Sequence, residues 1–141
     1  MFAELSIATV MVLLTVVIHG AGLFGLSRVL RLEAREEAAA HIHPMSPRGM
    51  AMTLLLVFGL IALHGVEIWA YALLYLAIDA LDLLREAVYF STITYATIGY
   101  DDHSIAPGWK LIAAIEGVNG VILLGWSTAF FVRVVARMGR D

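Results

Sequence analysis

From Leu5 to Ser27 the chain carries no Asp, Glu, Lys or Arg. A helix rising about 1.5 Å per residue crosses a hydrocarbon layer of about 30 Å within that stretch. A second apolar segment runs from about Met50 to Ile78, interrupted by His64 and Glu67, and a third from about Trp109 to Val132, interrupted by Glu116. With 61 % apolar and 15 % charged residues in a chain of 141, a soluble domain has too little interior to hide this hydrocarbon. The expectation is an all-α membrane protein with three spanning helices. The first segment reads as a span rather than a cleaved leader. MFAEL lacks a basic start, and the apolar run exceeds the about 7 to 15 residues of a leader core.

The cationic residues orient these spans. Arg28, Arg31, Arg35 and Arg48 lie between the first and second segments, and Arg133, Arg137 and Arg140 follow the third, while only Arg85 and Lys110 fall elsewhere. Positive residues are retained on the cytoplasmic side. The N-terminus is therefore expected outside a plasma (inner) membrane, with the linker and C-terminus cytoplasmic and the region from Asp79 to Gly108 exterior. The absence of cysteine excludes disulfides and thiolate metal sites. No basic stripe points to nucleic acid, so the implied partner is membrane lipid. In the linker, RLEAREEAAAH is good helix material and the two prolines of HIHPMSPRG stop a helix. His41 and His43 lack a third ligand and read as solvated loop residues.

The exterior region is not a plain loop. Asp82 is placed to cap a helix, and Leu83, Leu84, Ala87, Val88, Phe90 and Ser91 form an apolar helical stretch ending near Ala96. That helix is too short to cross the membrane. Non-helical backbone following it at membrane depth is tolerated only where protein buries it or it lines water. The stretch Tyr89 to Asp102 reads YFSTITYATIGYDD. Within it Thr97, Ile98, Gly99, Tyr100 and Asp101 resemble the T-V-G-Y-G filter of the potassium channel pore-domain family. The likeness extends to Ser91, Thr94, Asp102 and Trp109.

This resemblance implies an outer helix, a re-entrant pore helix with a filter loop and an inner helix, plus one additional N-terminal transmembrane helix. On it the chain divides into an N-terminal helix at 1–30, a linker at 31–49 and a pore domain at 50–138. It implies a cation channel rather than an enzyme, with potassium ions in the filter as its only bound species. In the family, filter carbonyls and the threonine hydroxyl replace the water shell of potassium. Glycine turns a carbonyl through positive φ, a β-branched residue packs behind it and tyrosine braces it. One loop cannot surround an ion, so the expected assembly is a homotetramer. Two positions depart from the family. Asp101 replaces the second filter glycine, and Ile93 stands where some channels carry a bracing glutamate, which leaves Tyr89 as a candidate partner for Asp102. Four copies of Asp101 and Asp102 at the outer mouth would form a ring that concentrates cations; the alternative is that Asp101 is simply accommodated at the surface.

In the third segment Gly117, Gly120 and Gly125 permit either close helix packing or a bend. Gly120 falls within one residue of the family's gating glycine. Ile122, Gly125, Ala129 and Phe130 occupy the family's cavity-lining register, with Phe130 as a hydrophobic constriction. His19, His64, Glu67 and Glu116 are polar groups inside spanning segments, where a central charge costs about 2.5 to 3.5 kcal/mol. Counting about 1.5 Å per residue from the outer ends puts Glu67 level with Asn119 and His19 level with His64, so each pair is expected to meet. These residues read either as hydrogen-bonded glue between helices or as a proton- or metal-sensing cluster. Glu116 is placed to brace the pore helix in place of a carboxylate at Ile93. Two other functions compete with a potassium-selective channel. One is a non-selective or non-conducting channel-like subunit. The other is a small membrane metal or redox protein using the buried histidines and carboxylates, although only one H-x-x-E pair is present.

Overall fold

The computed structural model describes residues 1–37, 46–99 and 105–138. His41, His43, Tyr100, Asp101, Asp102 and Arg140 lie outside the described residues. The elements are α1 (Phe2–Glu37), α2 (Pro47–Ala77), α3 (Leu84–Tyr95) and α4 (Lys110–Met138), the last entered through a 3-10 turn at Pro107–Trp109. Among the described residues, three stretches are long and apolar enough to cross a membrane: Phe2–Leu30, Pro47–Ala77 and Pro107–Ala136. The protein is an all-α, multi-pass membrane protein.

Each long helix buries one stripe. On α1 the buried positions up to Leu30 are Ala8, Met11, Thr15, His19, Leu23 and Leu30, and on α2 they include Met52, Leu56, Leu60, Glu67, Tyr71 and Tyr75. Steps of three, four and seven residues bring such positions onto one helix face. The stripes build two apolar clusters. Ala8, Met11, Tyr75, Ala87, Phe90 and Ile112 belong to the cluster at the α3 end. Leu23, Leu30, Met52, Leu56 and Leu60 form the other, with Phe130 and Phe131 against it. Arg28, Arg48 and Arg133 fall at this second end, opposite α3.

Local chemistry sets the helix ends. The Ser46 side chain accepts a hydrogen bond from the Gly49 amide at 3.2 Å, and Pro47 opens the first turn of α2. At the other end the Ala80 amide donates to Tyr75 O at 2.8 Å and the Asp79 amide to Leu76 O at 3.2 Å, with Asp79 at φ 51. This pair of bonds is the Schellman termination. The expected capping role of Asp82 is corrected: Leu83 holds the N-cap position of α3 with φ −117 and ψ 132, and no side chain caps it. The extended residue comes one position later than Asp82, which leaves that carboxylate outside the first turn. Glu86 lies within that turn instead, where a negative charge complements the helix dipole.

Candidate functional site

The segment joining α2 to α4 dives into the helix packing and returns. With 12 residues, α3 spans about 18 Å, well short of a bilayer. Its last residue, Tyr95, donates a hydrogen bond to Glu67, ten residues back from the end of α2 at Ala77. The Tyr95 carbonyl lies against Gly120 of α4, where an added Cβ would sit 2.2 Å from the oxygen. The returning limb is then fastened back at the α2 end, where the Ala106 amide donates to Ala80 O at 3.2 Å. A short helix that ends halfway down both neighbours is re-entrant.

The chain leaves α3 through a second Schellman turn. The Thr97 amide donates to Thr94 O at 3.1 Å and the Ile98 amide to Ile93 O at 3.0 Å, with Thr97 at φ 55. The filter reading assigned positive φ to Gly99, but among the described residues only Asp79 and Thr97 adopt it. Helix termination demands a left-handed residue just after the C-cap Ala96, and Thr97 occupies that place. A β-branched residue there costs about 1 to 2 kcal/mol. Ile98 was expected to pack behind the filter, yet within one chain it is 76 % exposed. Tyr89 is likewise exposed, and its expected partner Asp102 is outside the described residues.

Behind this turn lies a polar belt between the two apolar clusters. His19 Nδ1 is 2.9 Å from Glu67 Oε1, and His64 Nδ1 is 3.2 Å from Glu67 Oε2 and 2.9 Å from the Tyr95 hydroxyl. His19 Nε2 faces the Ser127 hydroxyl at 3.4 Å, and its ring lies 5.1 Å from that of Trp126. One carboxylate thus gathers α1, α2 and α3, and His19 extends the network to α4. His19 and His64 do approach, with ring centroids 5.3 Å apart. Glu67 and Asn119 do not pair as expected. The Asn119 amide donates instead to Thr15 Oγ1 at 2.8 Å and to the Tyr71 hydroxyl at 3.3 Å. Equal depth puts two residues in one layer, but the helix face decides which neighbour each meets.

Glu116 is buried and accepts hydrogen bonds from the hydroxyls of Tyr75 and Ser91. Ser91 also lies 3.0 Å from the Ile68 carbonyl. A carboxylate from α4 therefore holds the α3 serine, while Ile93 supplies none. Gly125 faces open space, as do the exposed Ile122 and Ala129 on the same face, whereas Phe130 packs against the cluster of α1 and α2 residues. Sequence reasoning missed Tyr71, Tyr75 and Tyr95. The first two were signalled by their spacing of four and eight residues from Glu67. Among the described residues, Thr94 Oγ1 is a buried side-chain oxygen with no partner, and it lies beside Thr97 in the groove between α3 and α4.

A family model described as "Ion channel" matches residues 50–137. No curated protein and no solved structure matches the chain.

Proposed function

We propose a potassium-selective channel, starting from the premise that the chain belongs to the ion-channel family. The observation that carries the reading is the re-entrant α3. It delivers Thr97, Ile98 and Gly99 to the place where α2, α3 and α4 converge, and Tyr100 and Asp101 follow in sequence. Backbone carbonyls of this segment, repeated around an axis, take over potassium's hydration. Four copies each of Asp101 and Asp102, which follow in sequence, would raise the local cation concentration at the outer mouth.

One chain supplies one loop, so the proposed conductor is a homotetramer in a plasma membrane, with the N-terminus outside and the C-terminus cytoplasmic. Two features support assembly. An apolar groove of about 700 Å³ opens between α3 and α4, lined by Ile93, Thr94, Thr97, Gly99, Ala113 and Gly117. Beside it Val118, Val121 and Ile122 are exposed. A neighbouring copy seated there would cover both. Gly125 and Ala129 would line the inner cavity, while the packing of Phe130 within its own chain argues against its serving as the constriction.

Purified protein in liposomes loaded with potassium tests the proposal. Tracer uptake driven by the gradient and blocked by barium is expected, together with a native mass of four chains. Absence of uptake, or a mass of one or two chains, contradicts it. Asp101→Gly is expected to preserve or sharpen the preference for potassium.

A further inference from the structure

We infer that His19, His64 and Glu67 form a binding site for one divalent transition-metal ion, of the zinc or cobalt class, inside each chain. One atom from each of these residues lies within 4.8 Å of the others. His19 Nδ1 lies 2.9 Å from Glu67 Oε1 and His64 Nδ1 3.2 Å from Glu67 Oε2, so one imidazole stands at each oxygen of the carboxylate, at separations close to the about 3.3 Å between ligand atoms that bonds of about 2.0 Å to a tetrahedral ion produce. The two imidazole rings face each other across the carboxylate with centroids 5.3 Å apart. The Tyr95 hydroxyl, 2.9 Å from His64 Nδ1, is in place as a fourth oxygen. Two imidazoles with one carboxylate is a donor set that suits zinc and its neighbours and does not suit calcium or magnesium.

Three further observations set this cluster apart from ordinary interhelical hydrogen bonding. Both histidines turn the same nitrogen, Nδ1, toward one carboxylate. The outer nitrogen of His19 is already held: when Nε2–H donates to Ser127 Oγ, 3.4 Å away, Nδ1 carries the lone pair a metal needs. Such an outer partner orients metal-binding histidines generally. Lastly, Glu67 is fully buried and its ion-pair partners among the described residues are these two histidines alone. With both neutral the cluster holds a net negative charge in an apolar layer, where an isolated charge is costly. A bound divalent ion pairs that carboxylate directly, leaving one positive charge spread over its ligands, and joins α1 and α2 to the last residue of α3.

The inference stands apart from ion conduction, and its test reads metal rather than flux. Full-length protein in nanodiscs is washed with chelator, incubated with zinc or cobalt and desalted, and metal and protein are then quantified. About one equivalent per chain is expected, since a single set of ligands binds a single ion. The H41A/H43A/H103A variant, which removes the remaining histidines, is expected to retain it. H64Q and E67Q, close in shape to the native residues, are expected to lose at least nine-tenths of it while eluting as the same assembly. The cobalt form of the native protein supplies a readout that needs no variant. Intense visible bands of a four-coordinate nitrogen and oxygen site are expected, and the weak spectrum of hydrated cobalt would overturn the inference. So would less than one-tenth of an equivalent in the native protein, retention in both H64Q and E67Q, or loss in the triple-histidine variant.

Discussion

Gly120 and Gly22 both face a close neighbour, and what that neighbour is decides how much a methyl group matters. At Gly120 an added Cβ meets the Tyr95 carbonyl oxygen at 2.2 Å and its carbon at 2.9 Å. That is backbone at the end of a helix and cannot move without dragging the turn that follows α3. At Gly22 the nearest atom is Leu63 Cδ1 at 2.4 Å, the tip of a side chain that can change rotamer. Gly120→Ala is therefore expected to abolish ion flux and lower thermal stability by about 1 to 3 kcal/mol, the usual range for overpacking. Gly22→Ala should stay near the parent in vesicle flux and in thermal unfolding, and Gly125→Ala, whose Cβ meets nothing within 4 Å, near the parent in thermal unfolding. Glu116 gives a second residue-level contrast. Glu116→Gln keeps a polar partner for Tyr75 and Ser91, while Glu116→Leu removes the acceptor that both hydroxyls share and leaves Ser91 with the Ile68 carbonyl, at a cost of about 1 to 3 kcal/mol. Melting of the detergent-solubilised assembly should separate the two, with the leucine variant lower.

At the scale of the helix, two Schellman turns shape the functional region, and both place a residue other than glycine in the left-handed position. Asp79 ends α2 and lies away from the proposed conduction path. Asp79→Gly removes its backbone strain and should stabilise the protein by about 1 kcal/mol, seen as a higher melting temperature with unchanged flux. Thr97 carries the same strain at the start of the filter-like segment. The long helices were legible from the sequence because uncharged apolar runs have one physical solution in a bilayer. The short re-entrant helix was legible because it is apolar, too short to span and followed by TIGY. Its capping residue was not, since the choice between Asp82 and Leu83 turns on a backbone angle that neither side chain dictates. The position of positive φ was missed for a related reason: glycine content shows where such a conformation is easy, whereas helix termination imposed it on Thr97. Pairing by depth found the His19 and His64 contact but misassigned Asn119, because depth says nothing of rotation about a helix axis.

Across the whole molecule, α1 is bound into the channel module by polar contacts as well as by its apolar stripe. Thr15 receives Asn119 of α4, and His19 bridges Glu67 of α2 to Ser127 of α4. Interhelical hydrogen bonds in membranes average about 0.6 kcal/mol each, so no single one holds α1, but their sum with apolar packing does. Thr15→Val with Asn119→Leu should lower the melting temperature while leaving the assembly size unchanged. Everything proposed for the tetramer rests on the segment after α3 discriminating between cations of the same charge. Its most direct test is the reversal potential of the reconstituted protein in a planar bilayer with potassium on one side and sodium on the other. A current reversing far from zero, in the direction set by potassium permeation, is predicted. Reversal at zero, or a bilayer that carries no current, would contradict the account.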